Sequence, residues 1–337
     1  MKKWIAIGFI GFLAVFIIVK QLNHNDFSAS KQLAESGKYE EFYASIQNEI
    51  KRGNSAAKEI LIGYFLKAIQ EKKFEELKFY LDNNKELINQ KNESGDRAID
   101  VVLFDESINI ELLKLLLSYS PDLNYVIRFY EMTPLQVVVT NNKNMPQDFE
   151  VVSLLIKNGA YVNFYTKDGK SEHSALAFSF ATDKLNIFEL LLKNGADLTN
   201  VHFSSDAKNK NDVLANIAAS YVIYLKNQNI NLAGFYERAI SHDVHSAINS
   251  NGYQILHNRN MKYLKAIATH SSFSKASDDG IEALVKWYIK TSEYDGLKQL
   301  GNYGVFKREP LYTKMKEFAF QENNRAAIHI LNQYKGN

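Results

Sequence analysis

The spacing of apolar runs constrains this chain more than any other feature of its sequence. Four such runs each end shortly before a turn rich in Asn or Gly, and their last apolar residues lie 36 to 39 residues apart. These residues are Leu81, Leu117, Ile156 and Leu192. A period in the thirties is typical of helical hairpins that stack into a solenoid, because one hairpin cannot bury its apolar face alone. The sequence therefore predicts an all-α array of stacked hairpins.

The composition agrees with a packed helical protein. Only 4 of the 337 residues are Pro and 16 are Gly, which argues against a sandwich or barrel with many tight turns. Lys and Arg number 40 against 38 Asp and Glu, so the net charge of +2 gives no electrostatic footprint for nucleic acid. The chain has no Cys, which excludes disulfides, thiolate catalysis and zinc–thiolate sites.

The repeat pattern is clearest over residues 131–200. Residues 132–135, Met-Thr-Pro-Leu, match the start of the first helix of an ankyrin repeat. Residues 157–163 and 193–199 are similar to the turn that follows the second helix, with the pattern Gly-Ala-Asp-Val-Asn. The resemblance implies a solenoid of ankyrin-like helical hairpins and a role in binding other proteins.

The physical chemistry of four residues in this stretch supports the same boundaries. Pro134 suits the first turn of a helix, where its missing N–H removes no hydrogen bond, and Thr133 can cap that turn. Gly159 and Gly195 are expected to end helices in the left-handed conformation. These positions predict where each hairpin begins and ends.

The repeats are predicted to extend in both directions from this stretch. We expect ankyrin-like repeats over residues 37–200 and degenerate helical repeats over residues 201–337, which cap the solenoid. Weaker copies of the apolar run end at Leu225, Ile267, Leu300 and Leu331. Because good turns do not follow these runs, another type of helical repeat is the alternative for the C-terminal region.

The N-terminus carries a different pattern. Residues 4–19 contain no charge, two lysines precede them and one follows. The pattern predicts a transmembrane signal anchor within residues 1–24 and a polar linker at residues 25–36. A cleaved signal peptide and a buried core helix are the alternatives. With the anchor, the chain is expected to span the inner (cytoplasmic) membrane once, and most of it is expected to be periplasmic.

The family resemblance implies that partners bind at the loops between repeats and at the adjoining first helices. In this sequence those loops carry aromatic and basic side chains, which are common in binding hot spots. The alternative is that the rings fold back onto the next repeat as part of the core. The candidate partner-binding residues are Tyr125, Arg128, Phe129, Tyr130, Phe164, Tyr165, Lys167, His202 and Phe203.

These observations favour a protein–protein interaction module without catalytic residues, metal or cofactor. Its expected partner is another protein, such as an envelope protein or a secreted toxin, which it would scaffold or occlude; in the toxin case it would be an immunity protein. The alternative is an envelope enzyme with its site in residues 201–337. His242 and His245 lie three residues apart there, but two imidazoles are fewer than the three or four protein ligands that zinc usually takes.

Overall fold

Helices make up nearly all of the regular structure. The computed structural model describes residues 27–128, 130–141, 146–167, 172–198, 212–230, 232, 242–271 and 273–335. Within these ranges the strands are one antiparallel pair, β1 (Thr166–Lys167) and β2 (Glu172–His173). The predicted all-α class is confirmed for the described residues.

The chain divides into two compact units. Unit 1 comprises Met1–Val138 and Met145–Tyr161, and unit 2 comprises Val139–Asn144 and Val162–Asn337. The described helices of unit 1 are α1 (Ser28–Glu35), α2 (Tyr39–Lys51), α3 (Ser55–Gln70), α4 (Phe74–Asn83), α5 (Ala98–Leu103), α6 (Ile110–Ser118) and α8 (Asp148–Lys157), with a 3-10 turn at Lys85–Asn89. Helix α7 (Pro134–Thr140) contains the boundary between the units.

Unit 2 continues the helical hairpins. Its described helices are α9 (Ala175–Ala181), α10 (Leu185–Lys193), α11 (Val213–Asn227), α12 (His242–Ile248), α13 (Asn251–His270), α14 (Asp278–Thr291), α15 (Tyr294–Asn302), α16 (Glu309–Gln321) and α17 (Arg325–Lys335). Two 3-10 turns, Phe273–Lys275 and Val305–Lys307, separate some of them.

One element of the predicted architecture has to be corrected. None of the helices within the described ranges is long and apolar enough to cross a membrane. Helix α13 is long enough at 20 residues, but it contains the charged residues Arg259, Lys262 and Lys265. The described fold therefore contains helical hairpins without the transmembrane helix that the sequence predicted. The run that carried this prediction, residues 4–19, lies outside the described residues.

The predicted period reappears in the pattern of burial. Helices α4, α6, α8 and α10 each bury apolar residues three or four positions apart, so that one stripe of each helix faces the core. The buried apolar residues of these stripes are Leu77, Tyr80 and Leu81; Leu112, Leu113, Leu116 and Leu117; Val151, Val152 and Leu155; and Ile187, Phe188, Leu191 and Leu192. Their spacing confirms that the four apolar runs form equivalent helices.

Stacked hairpins also occupy the C-terminal part of unit 2. Helices α14 and α15 form one hairpin, helices α16 and α17 form the next, and α14 packs on α16 while α15 packs on α17. Helix α15 buries Leu297 and Leu300, and α17 buries Ile330 and Leu331. These contacts are compatible with an α-solenoid, in which like helices of successive hairpins form layers.

The helix boundaries predicted at Thr133, Pro134, Gly159 and Gly195 are confirmed. The Thr133 N–H donates to Gln136 Oε1 at 2.9 Å, and the Gln136 N–H donates back to Thr133 Oγ1 at 3.3 Å, which is a capping box. Pro134 is the first residue of α7. Gly159 and Gly195 have φ values of 98° and 82°, so both end their helices in the left-handed region.

Candidate partner-binding surface

A single asparagine joins two successive loops in unit 1. Asn124 Oδ1 accepts the Tyr161 N–H at 2.8 Å, and Asn124 Nδ2 donates to the Gly159 carbonyl at 3.0 Å. Both partners are backbone groups of the turn that follows α8. The side chain therefore holds the next loop in place at two points, and we call such a contact from an asparagine side chain to the backbone of the following turn a rung.

Related contacts occur at other repeats. Within unit 1, Asn89 Oδ1 accepts the Asp122 N–H at 2.8 Å. Within unit 2, Asn163 Oδ1 accepts the Asp197 N–H at 2.8 Å, and its Nδ2 donates to the Gly195 carbonyl at 2.9 Å. At these three places an asparagine thus binds the backbone of the following turn, which gives a physical reason for Asn there.

A tight turn follows the Asn124 loop. Ile127 and Met132 pair as an isolated antiparallel bridge, and the Ile127 carbonyl accepts the Glu131 N–H at 2.8 Å. Glu131 adopts a left-handed φ of 52° to close the turn. Arg128 lies at the tip and is exposed. Because the turn is closed by backbone hydrogen bonds, Arg128 projects from a defined position.

Tyr125 holds the same loop from the inside. Its side chain is 9% exposed, its hydroxyl donates to Asp100, and the Arg97 guanidinium lies 3.8 Å over its ring. Arg97 Nη1 also pairs with Asp122 Oδ2 at 3.1 Å. Burial raises the pKa of the Tyr125 hydroxyl well above its usual range, followed by the effect of the Asp100 charge. Tyr125 therefore belongs to the core of unit 1.

Two apolar side chains of these loops face solvent. Val126 is 45% exposed and Tyr161 is 57% exposed, so each leaves much of its apolar surface in water. The rung from Asn124 connects the loops that carry them. With Arg128, they form a small set of exposed aromatic, aliphatic and basic groups on ordered backbone; we call Val126, Arg128 and Tyr161 the loop surface.

Not all of the predicted binding residues that the structure describes are exposed. Tyr130 is half-buried and stacks on Phe104, with ring centroids 5.0 Å apart. Phe164 and Tyr165 are half-buried in unit 2. Lys167 contributes its backbone to β1. The rings of Tyr125 and Tyr130 thus pack against the protein itself, but their partners Arg97, Asp100 and Phe104 precede the loop in sequence and do not belong to the next repeat.

Three of the predicted residues cannot be assigned a position. Phe129, His202 and Phe203 lie outside the described residues. Their proposed role in binding stays a prediction.

Tyr161 is the residue that the sequence interpretation missed. The rung from Asn124 accepts the backbone N–H of Tyr161. At the two matching turn positions, whose N–H groups are bound by the other rungs, the residues are Asp122 and Asp197. The signal was present in the sequence, since an aligned set of turns shows Tyr where aspartate stands elsewhere. Aspartate at such a position suits solvent, whereas an exposed tyrosine offers a large contact area.

A second polar cluster lies in unit 2, in the region that the enzyme alternative concerns. The Glu293 carboxylate accepts the Tyr253 hydroxyl, and His257 Nδ1 lies 2.7 Å from Glu293 Oε2. The Trp287 indole N–H donates to the Tyr253 hydroxyl at 2.8 Å, and the Tyr221 ring stacks on Trp287 with centroids 5.4 Å apart. These contacts join α11, α13 and α14 to the start of α15.

The predicted histidine pair lies on one short helix. His242 and His245 both belong to α12, as the spacing requires for a shared face. Among the residues that the structure describes, no group of three or more His, Asp or Glu side chains is placed to hold a metal ion.

Comparison with known proteins adds no relative. No protein-family model and no curated protein matches this chain.

Proposed function

We propose that this protein is a non-enzymatic binding module built from ankyrin-like repeats, and that it engages a folded partner protein through the loop surface. The observation that carries the proposal is the Asn124 rung, which fixes the backbone of Tyr161 while its ring stays 57% exposed. An exposed ring on ordered backbone loses little conformational entropy when it is covered.

The residue types support a protein partner. Tyr and Arg are enriched among residues that dominate binding energy, and Val126 adds an aliphatic contact between them. The complementary surface would offer an apolar recess for Tyr161 and Val126, with a carboxylate for Arg128. Such a surface is a feature of a folded protein, and its occlusion or anchoring would be the biological effect.

The ankyrin-like character of the repeats is supported by three local features. Thr133 and Pro134 begin a helix with a capping box, Gly159 and Gly195 end helices in the left-handed region, and the rungs bind successive turns. A narrower form of the proposal is that the partner is a secreted toxin and that the protein is its antagonist. The test measures whether the intact chain relieves the toxicity of the toxin. A variant of the loop surface should lose this effect.

The experiment is a capture with the full chain followed by a direct affinity measurement. Retained proteins are identified, each is purified, and its dissociation constant is measured by calorimetry. The key variant is Tyr161→Asp, because aspartate occupies the matching position of two other turns and is therefore compatible with this backbone. We expect Tyr161→Asp to weaken binding by about 10- to 30-fold, the range of a typical hot spot.

A matched control variant comes from the same unit. Phe149 is 42% exposed and lies in the first turn of α8, at the opposite end of that helix from Tyr161. We expect Phe149→Ala to leave the affinity unchanged. A partner held equally by wild type and Tyr161→Asp, with both proteins folded, would overturn the assignment of the surface.

A further inference from the structure

Asp100 is a buried carboxylate directly beneath the loop surface. Its side chain is 1% exposed, its Oδ2 accepts the Arg97 N–H at 2.9 Å, and its Oδ1 accepts the Tyr125 hydroxyl. Both donors are neutral groups. A buried carboxylate that is held by neutral donors alone has lost its hydration without gaining a direct ion pair.

The nearest cation is directed elsewhere. Arg97 Nη1 pairs with Asp122, its guanidinium lies over the Tyr125 ring, and its Nε is buried without a hydrogen-bond partner among the described residues. Asp96, in the same segment before α5, opposes the charge on Asp100. The other elements that pack against α5 are α3, α6 and the 3-10 turn Lys85–Asn89, and they contribute none of the main influences on Asp100.

The electrostatic balance favours proton uptake by this carboxyl. Burial raises the pKa of Asp100 to about 6, and its hydrogen bonds with Tyr125 and Arg97 lower it by less. In an opened state the carboxyl would be hydrated and would return towards its ordinary value of 3.8. The closed state therefore binds more protons than the opened state between these two values.

Tyr125, which forms this contact, is next in sequence to residues that carry or hold the loop surface. Tyr125 lies between Asn124, which forms the rung to Tyr161, and the exposed Val126. Withdrawal of the Tyr125 ring from Asp100 would thus displace the residues on either side of it.

We propose that Asp100 and Tyr125 form a proton-linked clasp, in which protonation of Asp100 favours the closed form of the loop that carries the partner-binding surface. The clasp regulates that surface and so depends on the proposed function for its biological meaning. Its sign is fixed by linkage: the contribution to the closed state is full at low pH and is lost as the pH rises through about 6.

The test is amide hydrogen exchange on the full chain between pH 4 and pH 7.5, corrected for intrinsic rates. The readout is the Tyr161 N–H, which Asn124 holds. If loop opening governs its exchange, we expect protection to fall by up to about sixtyfold from pH 4 to pH 7.5, the largest change that pKa values of about 6 and 3.8 permit over this range. Asp100→Asn, which is neutral at every pH, should abolish this dependence.

A matched control is available in the same unit. Asp82 accepts the Tyr119 hydroxyl at 2.6 Å in an exposed contact, so Asp82→Asn neutralises the acceptor of a similar Asp–Tyr pair without relieving buried charge. This variant should keep the wild-type pH dependence. Protection that changes by less than twofold in wild type, or a wild-type dependence retained in Asp100→Asn, would overturn the proposal.

A second measurement covers the case in which Asp100→Asn fails to fold. The chemical shift of the Asp100 carboxyl carbon, followed by NMR against pH in the wild-type protein, should give an apparent pKa near 6. A value below about 4.5 would overturn the clasp. Neither readout involves a partner. Failure of the clasp would therefore leave the binding proposal standing, and loss of the binding proposal would leave the clasp measurable.

Discussion

The Ser277 hydroxyl donates to the Asp212 carboxylate, so the N-caps of α11 and α14 are joined side chain to side chain. Asp212 also accepts the Leu214 N–H at 2.8 Å and the Ala215 N–H at 3.0 Å, while Ser277 accepts the Gly280 N–H at 2.9 Å. Burial raises the pKa of Asp212 because desolvation outweighs these hydrogen bonds. One carboxylate therefore caps one helix and orients the cap of another.

Removal of this carboxylate should destabilise unit 2. We expect Asp212→Ala to lower the free energy of unfolding by about 2 kcal/mol, since a cap is lost and Ser277 loses its acceptor. Urea unfolding followed by circular dichroism measures this change. Asp212→Asn keeps an acceptor for the α11 amides and should lose less. Equal losses in the two variants would contradict a capping role.

The same residue should give a pH signature. Because its pKa is raised in the folded state, the folded protein binds more protons than the unfolded chain from about pH 4 up to that raised value. The contribution of Asp212 to stability therefore falls as the pH rises through this window. The free energy of unfolding of Asp212→Asn should therefore rise relative to that of wild type as the pH increases through this window. Above the window the difference between the two proteins should stay constant. A constant difference from pH 3.5 to pH 7 would contradict the raised pKa.

Gly280 is expected to tolerate no side chain. A Cβ at this position would lie 2.3 Å from Asp212 Oδ1. Gly→Ala within a helix usually stabilises by about 1 kcal/mol, but here we expect a loss of about 2 kcal/mol because the capping carboxylate must move. In an Asp212→Ala background the penalty should largely disappear, and a double-mutant cycle measured by urea unfolding checks this coupling.

The rung from Asn124 should contribute to the stability of unit 1. Asn124→Ala removes hydrogen bonds to the Tyr161 N–H and the Gly159 carbonyl, and we expect a loss of about 1 to 2 kcal/mol. Asn124→Asp keeps the acceptor for Tyr161 but loses the donor to Gly159, so its loss should be smaller. Thermal and urea unfolding distinguish the two variants. An unchanged free energy of unfolding in both would show that the rung does not stabilise unit 1.

An arginine ties α13 to the turn between α9 and α10. Arg259 Nε lies 2.6 Å from Asp183 Oδ1, its Nη2 donates to the Phe180 carbonyl, and Tyr263 donates to Asp183 at 3.0 Å. Asp183 is largely exposed, so the ion pair itself is worth little, and the carbonyl contact carries most of the effect. We expect Arg259→Ala to cost about 1 to 2 kcal/mol in urea unfolding.

The control for this prediction is a surface pair in the same unit. Lys298 and Asp295 approach within 3.5 Å, and both are strongly exposed. Lys298→Ala should change the free energy of unfolding by less than about 0.5 kcal/mol. Equal effects of the Arg259 and Lys298 substitutions would mean that α13 is held by apolar packing alone.

Local signals in the sequence predicted the hairpin boundaries well. Thr133, Pro134, Gly159 and Gly195 each act on their own turn of backbone, so their effect requires no knowledge of distant packing. The apolar period likewise reports which stripe of a helix is buried. These are the features that a linear pattern records directly.

Longer elements in unit 2 were not predictable in this way. The apolar run ending at Leu225 was predicted as a weaker copy of the earlier runs, whereas Leu225 lies near the end of the continuous 15-residue helix α11. No Gly or Pro interrupts this stretch, and its length is set by packing against α13 and α14. A period gives the spacing of hairpins but leaves the length of their helices undetermined.

The direction of loop side chains was the main uncertainty at the candidate surface. Tyr125 and Tyr161 both occur in turns after second helices, and only the structure separates the buried ring from the exposed one. Tyr125 is drawn inward because Asp100 offers an acceptor within the core. This partner is 25 residues away in sequence, so spacing alone could not identify it.

The rungs have a consequence for how such a protein can change. Each asparagine grips main-chain atoms of the next turn, and these atoms are the same whichever amino acid stands there. Asp122, Tyr161 and Asp197 illustrate this, since three rungs hold two kinds of residue with equal hydrogen-bond lengths of 2.8 Å. Under the proposed function, the side chain that meets a partner and the main-chain atoms that hold the turn are therefore separate parts of the loop. A lineage could exchange one partner for another by single substitutions at these positions while the scaffold beneath them stays the same.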